Sequence, residues 1–180
     1  LADAEGNPQR VAGLPFWRDH FVCAGRVDVD VEPGQFSYEI ERGPEYERHA
    51  GTVDVAAEQT ARVDVTLKRI ADLRGEGWYS GDLHVHRPID EIELLMRAED
   101  LDFAPVITWW NARNAWQGAE LPERTTVRFE GHRIYTVMAG EDEREGGALL
   151  YFGLDRPLDI SAESREFPSP LRFVGEAHER

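Results

Sequence analysis

The hydrophobic pattern of the chain changes near residue 70, and this change restricts the possible folds more than any other feature. In the first part, the segments 27–31 and 36–40 alternate apolar and polar residues, as half-buried strands do. Later, the segment 103–110 reads FAPVITWW, an almost unbroken apolar run that is typical of a strand buried on both faces. We therefore predict an α+β chain in two parts, with domains at residues 1–70 and 71–180.

The first part is predicted to be an antiparallel β-sandwich. Pro33 and Gly34 mark a turn between its first two alternating segments, and further alternation follows at 53–55 and 63–67. Short alternating strands that are separated by turn residues at regular spacing are typical of this architecture.

The second part is predicted to combine strands and helices. The segment 89–102 has apolar residues at helical spacing, and Asp90 with Glu93 has the spacing of a capping box. Ser169 followed by Pro170 predicts the start of a second helix. The apolar patterns predict strands at 81–87, 103–111, 132–143 and 148–154. In α/β folds, functional side chains gather at the carboxyl ends of such strands.

The composition limits the partners of the chain. Its 180 residues are 41% hydrophobic, which is enough for a packed core, and its formal net charge is -15. Such a surface repels phosphate backbones and anionic lipids, so we expect neither nucleic-acid nor membrane binding. No apolar run in the sequence is long enough to span a bilayer. A single cysteine, Cys23, excludes an internal disulfide.

Two histidines lie one residue apart in the segment GWYSGDLHVHRP. Residues i and i+2 of a strand point to the same side, about 6.6 Å apart, so Asp82, His84 and His86 project together. The two imidazoles can converge on one metal ion, and Asp82 can orient one of them through its other ring nitrogen. The alternative is that both histidines are ordinary residues of a half-exposed strand.

A second candidate ligand follows another strand, in the segment MAGEDERE. Glu141 comes directly after Ala139 and Gly140, where the backbone can turn sharply, and we predict it to be a metal ligand. Glu143 and Glu145 are predicted to be solvated residues of an acidic loop.

The segments GWYSGDLHVH, VITWWN and VMAGEDE, in this order, resemble the PHP (polymerase and histidinol phosphatase) superfamily of metal-dependent hydrolases. The branch that they resemble most is the carbaryl-hydrolase-like (CehA/McbA) group, and the resemblance covers residues 75–180. It implies that the second domain is the first part of a distorted α/β barrel. The segments DAEGNP and VEPGQFSYEIERGPEY are similar to carboxypeptidase-regulatory-like sandwich domains.

The resemblance implies a role for each matching residue. His84 and His86 match the first metal-binding motif, and Glu141 matches the carboxylate that ligates, and often bridges, the metals in the third.

Three further roles are hypotheses from the residues themselves. Arg87 is the candidate for stabilising negative charge that develops on the substrate, and the alternative is an ordinary surface charge. Trp109, Trp110 and Asn111 are the candidates for lining a substrate pocket; the alternative for the tryptophans is that they belong to the core, and only one of these two neighbours can face inward.

The implied activity is hydrolysis of a small-molecule substrate. A water activated by zinc, manganese or iron would attack an ester, amide, carbamate or phosphoester bond. The chain departs from the family where Trp109-Trp110 replaces Asp-His and where Gly146-Gly147 replaces a frequent Gly-His. An indole cannot ligate a metal. We therefore expect either a fragment whose remaining ligands lie beyond Arg180, or a degenerate relative.

The alternative function is a non-catalytic β-sandwich that binds carbohydrate or protein, on an inactive PHP-like scaffold. A row of exposed aromatic side chains on one sheet face would favour it, and the candidates are Phe16, Trp17, Phe21 and Tyr46. The resemblance alone favours an extracytoplasmic location, periplasmic or secreted. The sequence gives no indication of the oligomeric state.

Overall fold

The computed structural model describes residues 1–111, 113–160 and 167–179, which form a mixed α/β chain made mostly of strands, with few helices. Two compact units divide the chain: one comprises Leu1–Tyr79 and Glu93–Leu101, and the other comprises Ser80–Ile92 and Asp102–Arg180. Within the described ranges, every helix is too short or too polar to cross a bilayer.

Antiparallel hairpins form the strands of the first unit. β1 (Phe16–Trp17) pairs with β2 (His20–Phe21), and β3 (Gly34–Ile40) pairs with β4 (His49–Val55). Phe36 of β3 is buried. The predicted alternation at 36–40 and 53–55 therefore corresponds to paired strands.

Two other predicted strands of the first unit are not strands. Residues 27–31 and 63–67 carry no strand assignment, although 27–31 still alternates between half-buried and exposed positions. Alternating burial requires only an extended chain, whereas a strand also requires a neighbour for its N–H and C=O groups. The periodicity was therefore correct for 27–31, but periodicity does not show whether a partner strand exists.

The predicted helix at 89–102 is shorter than expected. A 3-10 turn at Ile89–Glu91 leads into α1 (Ile92–Ala98). The predicted capping box is wrong, because Asp90 lies inside the 3-10 turn. Pro88 is the residue that precedes this turn, and no side chain caps it with a hydrogen bond. Another 3-10 turn lies at Arg74–Glu76.

A single sheet organises the second unit. β5 (Phe103–Trp110) and β8 (Arg133–Arg144) lie parallel at its centre. The antiparallel strands β6 (Arg113–Asn114), β7 (Thr126–Phe129) and β9 (Gly147–Tyr151) extend it. The pairing of β5 with β8 contains two register shifts, and the sheet curls into half a barrel. These bounds confirm the strands predicted at 103–111, 132–143 and 148–154, with ends that differ by up to three residues.

One face of this sheet packs under the last helix, α2 (Leu171–His178). Ser169 and Pro170 precede this helix, and the Ser169 hydroxyl accepts a hydrogen bond from the Leu171 amide at 3.4 Å. The predicted helix start is thus correct within one residue, which is the usual uncertainty of a helix end. The buried apolar cluster of the unit consists of Trp109, Met138, Tyr151, Leu154, Leu158, Ile160 and Phe173.

Candidate metal centre

The two histidines lie on an extended segment beside β5. Isolated parallel bridges join Gly81 to Phe103 and Val85 to Val106, and the Ile107 amide donates to the Val85 carbonyl at 2.8 Å. The predicted strand at 81–87 is therefore present only as a loosely paired edge. Val85 is buried, so its two histidine neighbours project from the opposite side of the segment.

Glu141 reaches the same place from β8. The parallel pairing of β5 with β8 ends at Trp110 opposite Glu141, at the carboxyl ends of both strands. The Glu141 Oε2 atom lies 2.9 Å from His86 Nε2, and its Oε1 atom lies 3.3 Å from His84 Nε2. The two Nε2 atoms are 3.1 Å apart. His84, His86 and Glu141 thus form a cluster that could hold a metal ion.

The closest separations between these three side chains are of the size found around one small ion. Ligands about 2.0–2.1 Å from a common zinc ion lie about 2.9–3.4 Å from one another, for angles between right and tetrahedral. The two Nε2 atoms are 3.1 Å apart, and they lie 3.3 and 2.9 Å from the two different oxygens of the Glu141 carboxylate, so each of these distances has the size that a shared ion requires. One donor atom from each of the three residues lies within 4.8 Å of the others. Two imidazoles and one carboxylate also form a donor set common among catalytic zinc sites.

The cluster is open on one side. The His84 side chain is 53% exposed, that of His86 is 35% exposed, and that of Glu141 only 9% exposed. A buried carboxylate with two accessible imidazoles would hold an ion from below and leave coordination positions towards solvent. Catalytic metal sites keep such open positions, whereas structural sites are closed by protein ligands.

The two tryptophans face in opposite directions. The Trp110 ring meets the His86 ring edge to face, with centroids 5.0 Å apart, and the Arg113 guanidinium lies 5.9 Å from the Trp110 ring centre. Trp109 lies in the buried cluster, stacked on Tyr151 at 5.7 Å. Trp110 therefore walls the cluster, and Trp109 belongs to the core.

The other predicted site residues make contacts of different kinds. Asp82 accepts a hydrogen bond from the His84 backbone amide at 2.9 Å, which shapes the segment that carries the histidines. The Arg87 guanidinium donates to Glu91 at 2.7 Å, one helical turn away. Asn111 bonds to β8 through both ends of its amide, donating to Asp142 and accepting from the Glu143 amide.

Sequence reasoning missed a buried ion pair behind the cluster. Asp142 is fully buried and accepts two hydrogen bonds from Arg144, at 2.6 and 3.0 Å. Arg144 is itself buried, and its guanidinium lies 5.5 Å from the Phe173 ring centre. The signal was available, because alternation along a strand places residues 142 and 144 together on the side opposite Glu141.

Charge and burial also act on Tyr151, next to this ion pair. Removal from water raises the pKa of the Tyr151 hydroxyl to about 12, and the negative charge of Asp142 adds to the effect. The hydroxyl has no hydrogen-bond partner among the residues that the structure describes. Tyr151 therefore stays neutral well above its ordinary range.

The aromatic residues proposed for a binding surface do not form an exposed row. Trp17 is 54% exposed, whereas Phe16, Phe21 and Tyr46 are half-buried. The Arg10 guanidinium lies 4.0 Å from the Phe16 ring centre, and Arg42 and Arg69 lie against the Tyr46 ring. These contacts already occupy two of the four side chains.

No protein-family model, no curated protein and no solved structure matches the chain.

Proposed function

We propose that the chain carries a metal-dependent hydrolase site at His84, His86 and Glu141. The observation that supports this proposal is the convergence of three side chains with metal-type donors, whose nearest donor atoms are 2.9 to 3.3 Å apart, beside the carboxyl ends of two parallel strands. The proposal includes the first part of a PHP-like barrel of the CehA/McbA type, preceded by a carboxypeptidase-regulatory-like sandwich. Two imidazoles favour zinc or iron over calcium or magnesium, and the carboxylate of Glu141 also admits manganese.

Each residue of the proposed site has a distinct task. A bound divalent ion would supply a water activated near neutral pH and a Lewis acid for the substrate oxygen. Glu141 offers its carboxylate at the floor of the site, His84 and His86 offer their Nε2 atoms, and the Trp110 ring covers one side of His86. Arg87, which follows the histidines directly, is the candidate group for stabilising negative charge on the substrate.

The proposed substrate is a neutral small molecule with an ester, amide or carbamate bond. Phosphoesters rank second, because the chain has 35 acidic against 20 basic residues and its field repels anions. Trp110, with Arg113 against its ring, offers a flat apolar wall to such a substrate.

Metal binding is the first test of this proposal. The metal-free protein is titrated with zinc and its zinc content is measured after gel filtration, beside His84→Ala/His86→Ala and Glu141→Gln. The matched control is His20→Ala/His49→Ala, which removes two exposed histidines of the first unit. We expect bound zinc in the wild type and in the control, and its loss in the site variants. Equal zinc retention in His84→Ala/His86→Ala would remove the basis of the proposal.

Hydrolysis is the second test. The metal-loaded protein is assayed on p-nitrophenyl acetate, a p-nitrophenyl carbamate and p-nitrophenyl phosphate, with and without a chelator. We expect turnover of the ester or carbamate that disappears with the chelator, returns with zinc, and is absent in Glu141→Gln. Zinc binding without turnover in any of the three classes would contradict the hydrolase and leave a metal-binding module.

A further inference from the structure

The Asn111 side chain joins the carboxyl ends of the two central strands. Backbone pairing between β5 and β8 ends at Trp110 opposite Glu141, and Asn111 is the next residue of the chain. Its Nδ2 group donates to Asp142 Oδ1 at 2.9 Å, and its Oδ1 atom accepts from the backbone amide of Glu143. The side chain of Asn111 thus adds two hydrogen bonds between the strands, one residue beyond the last backbone pair.

These two bonds hold the residues that directly follow Glu141. The Glu141 carboxylate can meet both histidines only if the β8 backbone keeps its orientation through residues 141–143. Pairing with β9 holds one edge of this backbone through residues 140–144. Asn111 bonds to the side chain of Asp142 and the amide of Glu143, so it ties the backbone that follows Glu141 to the end of β5 as well. The other side is held by the strand pairing that includes Gly140.

Asp142, the residue on β8 to which Asn111 donates, is held rigidly. Asp142 has no exposed surface, and Arg144 donates two hydrogen bonds to the same carboxylate. A buried carboxylate that receives three donors has little freedom to move, and breaking such a set leaves an uncompensated buried charge. Asn111 therefore ties β5 to a fixed point and not to a flexible surface group.

We propose that Asn111 is a positioning residue for Glu141, and this inference rests on the metal site proposed above. Strand alternation puts Asp142, the partner of Asn111, on the face opposite Glu141, so Asn111 acts through the β8 backbone and does not itself ligate the ion. Outer partners that orient a ligand contribute about 10- to 100-fold to metal affinity. Asn111 is thereby assigned to the support of the ligand, in place of a substrate wall.

The test measures zinc affinity and the visible absorption spectrum of the cobalt-substituted protein for the wild type, Asn111→Ala and Asn111→Ser. The matched control is Asn114→Ala. Asn114 lies in the same β5–β6 hairpin, and its side chain accepts a hydrogen bond from the Trp116 backbone amide at 2.9 Å; among the described residues it makes no side-chain hydrogen bond to β8. Serine keeps a polar side chain that can make part of the hydrogen bonding to β8, whereas alanine can make none of it. The two variants therefore distinguish partial from complete loss of the bonds between residue 111 and β8.

We expect the zinc dissociation constant to rise about tenfold or more in Asn111→Ala, less in Asn111→Ser, and not in Asn114→Ala. The cobalt spectrum should change in the same order, because it reports the geometry of the ligands and not the stability of the fold. If Asn111→Ala does not fold, the zinc affinity and cobalt spectrum of Asn111→Ser test the inference. Wild-type affinity and spectrum in the folded Asn111 variants would overturn the inference, whereas a wild type without zinc would overturn the proposed site itself.

Discussion

At the scale of single residues, Gly140 is a position where the core has no space for a side chain. A Cβ atom added there would overlap the indole ring of Trp109, which is paired across from it. The glycine therefore allows the largest core side chain to lie flat against β8, one residue before the candidate ligand Glu141. Its role is steric and requires no unusual backbone angle.

We expect Gly140→Ala to lower the free energy of unfolding by about 1–3 kcal/mol or more, as overpacked cores do. Urea unfolding measures this loss. Gly147→Ala is the control, because a Cβ atom at Gly147, also on a strand, would meet open space. Equal stability of the two variants would show that the indole of Trp109 does not lie against Gly140.

Tyr151 gives a prediction about pH. Its pKa is raised by burial to about 12, so the unfolded chain ionises this hydroxyl at a lower pH than the folded chain does. The stability linked to Tyr151 is therefore complete below its ordinary pKa of about 10 and is lost as the pH rises towards its folded value. Tyr151→Phe should be free of this alkaline loss.

Urea unfolding of Tyr151→Phe and wild type below and above about pH 10 measures the difference. At neutral pH the variant should be as stable as the wild type or more stable, because the buried hydroxyl has no hydrogen-bond partner among the described residues. Tyr79→Phe is the control, since Tyr79 is 73% exposed. The same alkaline loss in Tyr151→Phe as in the wild type would contradict the assignment.

At the scale of elements, the apolar runs were the reliable signal. β5, β8 and β9 were predicted because continuous or alternating apolar residues need burial on a sheet. The prediction was correct for β5 because β6 and β8 pair with it on either side. Residues 27–31 had the same alternation but pair with no strand in the described part of the chain. The predicted capping box was wrong because the helical segment begins earlier than expected. The 3-10 turn at Ile89–Glu91 already includes Asp90, so Asp90 is not the residue that precedes the first turn.

Strand alternation also separates the two tryptophans at the end of β5. We expect Trp109→Ala to cost about 3–5 kcal/mol of unfolding free energy, because it empties the core cluster. Trp110→Ala should cost less, since Trp110 is half-buried, but it should shift the His86 ring resonances in a proton NMR spectrum. Each variant serves as the control for the other, and reversed effects would show that the strand faces are exchanged.

At the scale of the whole molecule, the candidate site could be predicted only in part. His84 and His86 are two residues apart, so strand geometry alone brings their side chains together. Glu141 lies 55 residues beyond His86, and its position depends on the parallel pairing of β5 with β8. The supporting contacts of Asn111 with Asp142 and Glu143 depend on the register of that pairing, which no local pattern encodes.

The charge of the whole chain gives a further prediction. With 35 acidic and 20 basic residues, many carboxylates have no matching cation and repel one another. Raising the sodium chloride concentration shortens the Debye length from about 30 Å at 0.01 M to about 8 Å at 0.15 M. We expect the thermal unfolding midpoint to rise over this interval, and choline chloride should act equally. A falling midpoint would mean that the surface ion pairs outweigh the repulsion.

The spacing of the three donors along the chain has a consequence for the lifetime of the protein. In the unfolded chain the two histidines remain neighbours and Glu141 is far away, so only the folded state offers the complete donor set. An ion that binds the folded state alone at a hundred times its dissociation constant stabilises it by about 2.7 kcal/mol, and residual binding to the unfolded histidine pair reduces this gain. For the proposed centre, the supply of metal would then set the fraction of unfolded chain that proteases can attack, and the abundance of the protein would follow that supply.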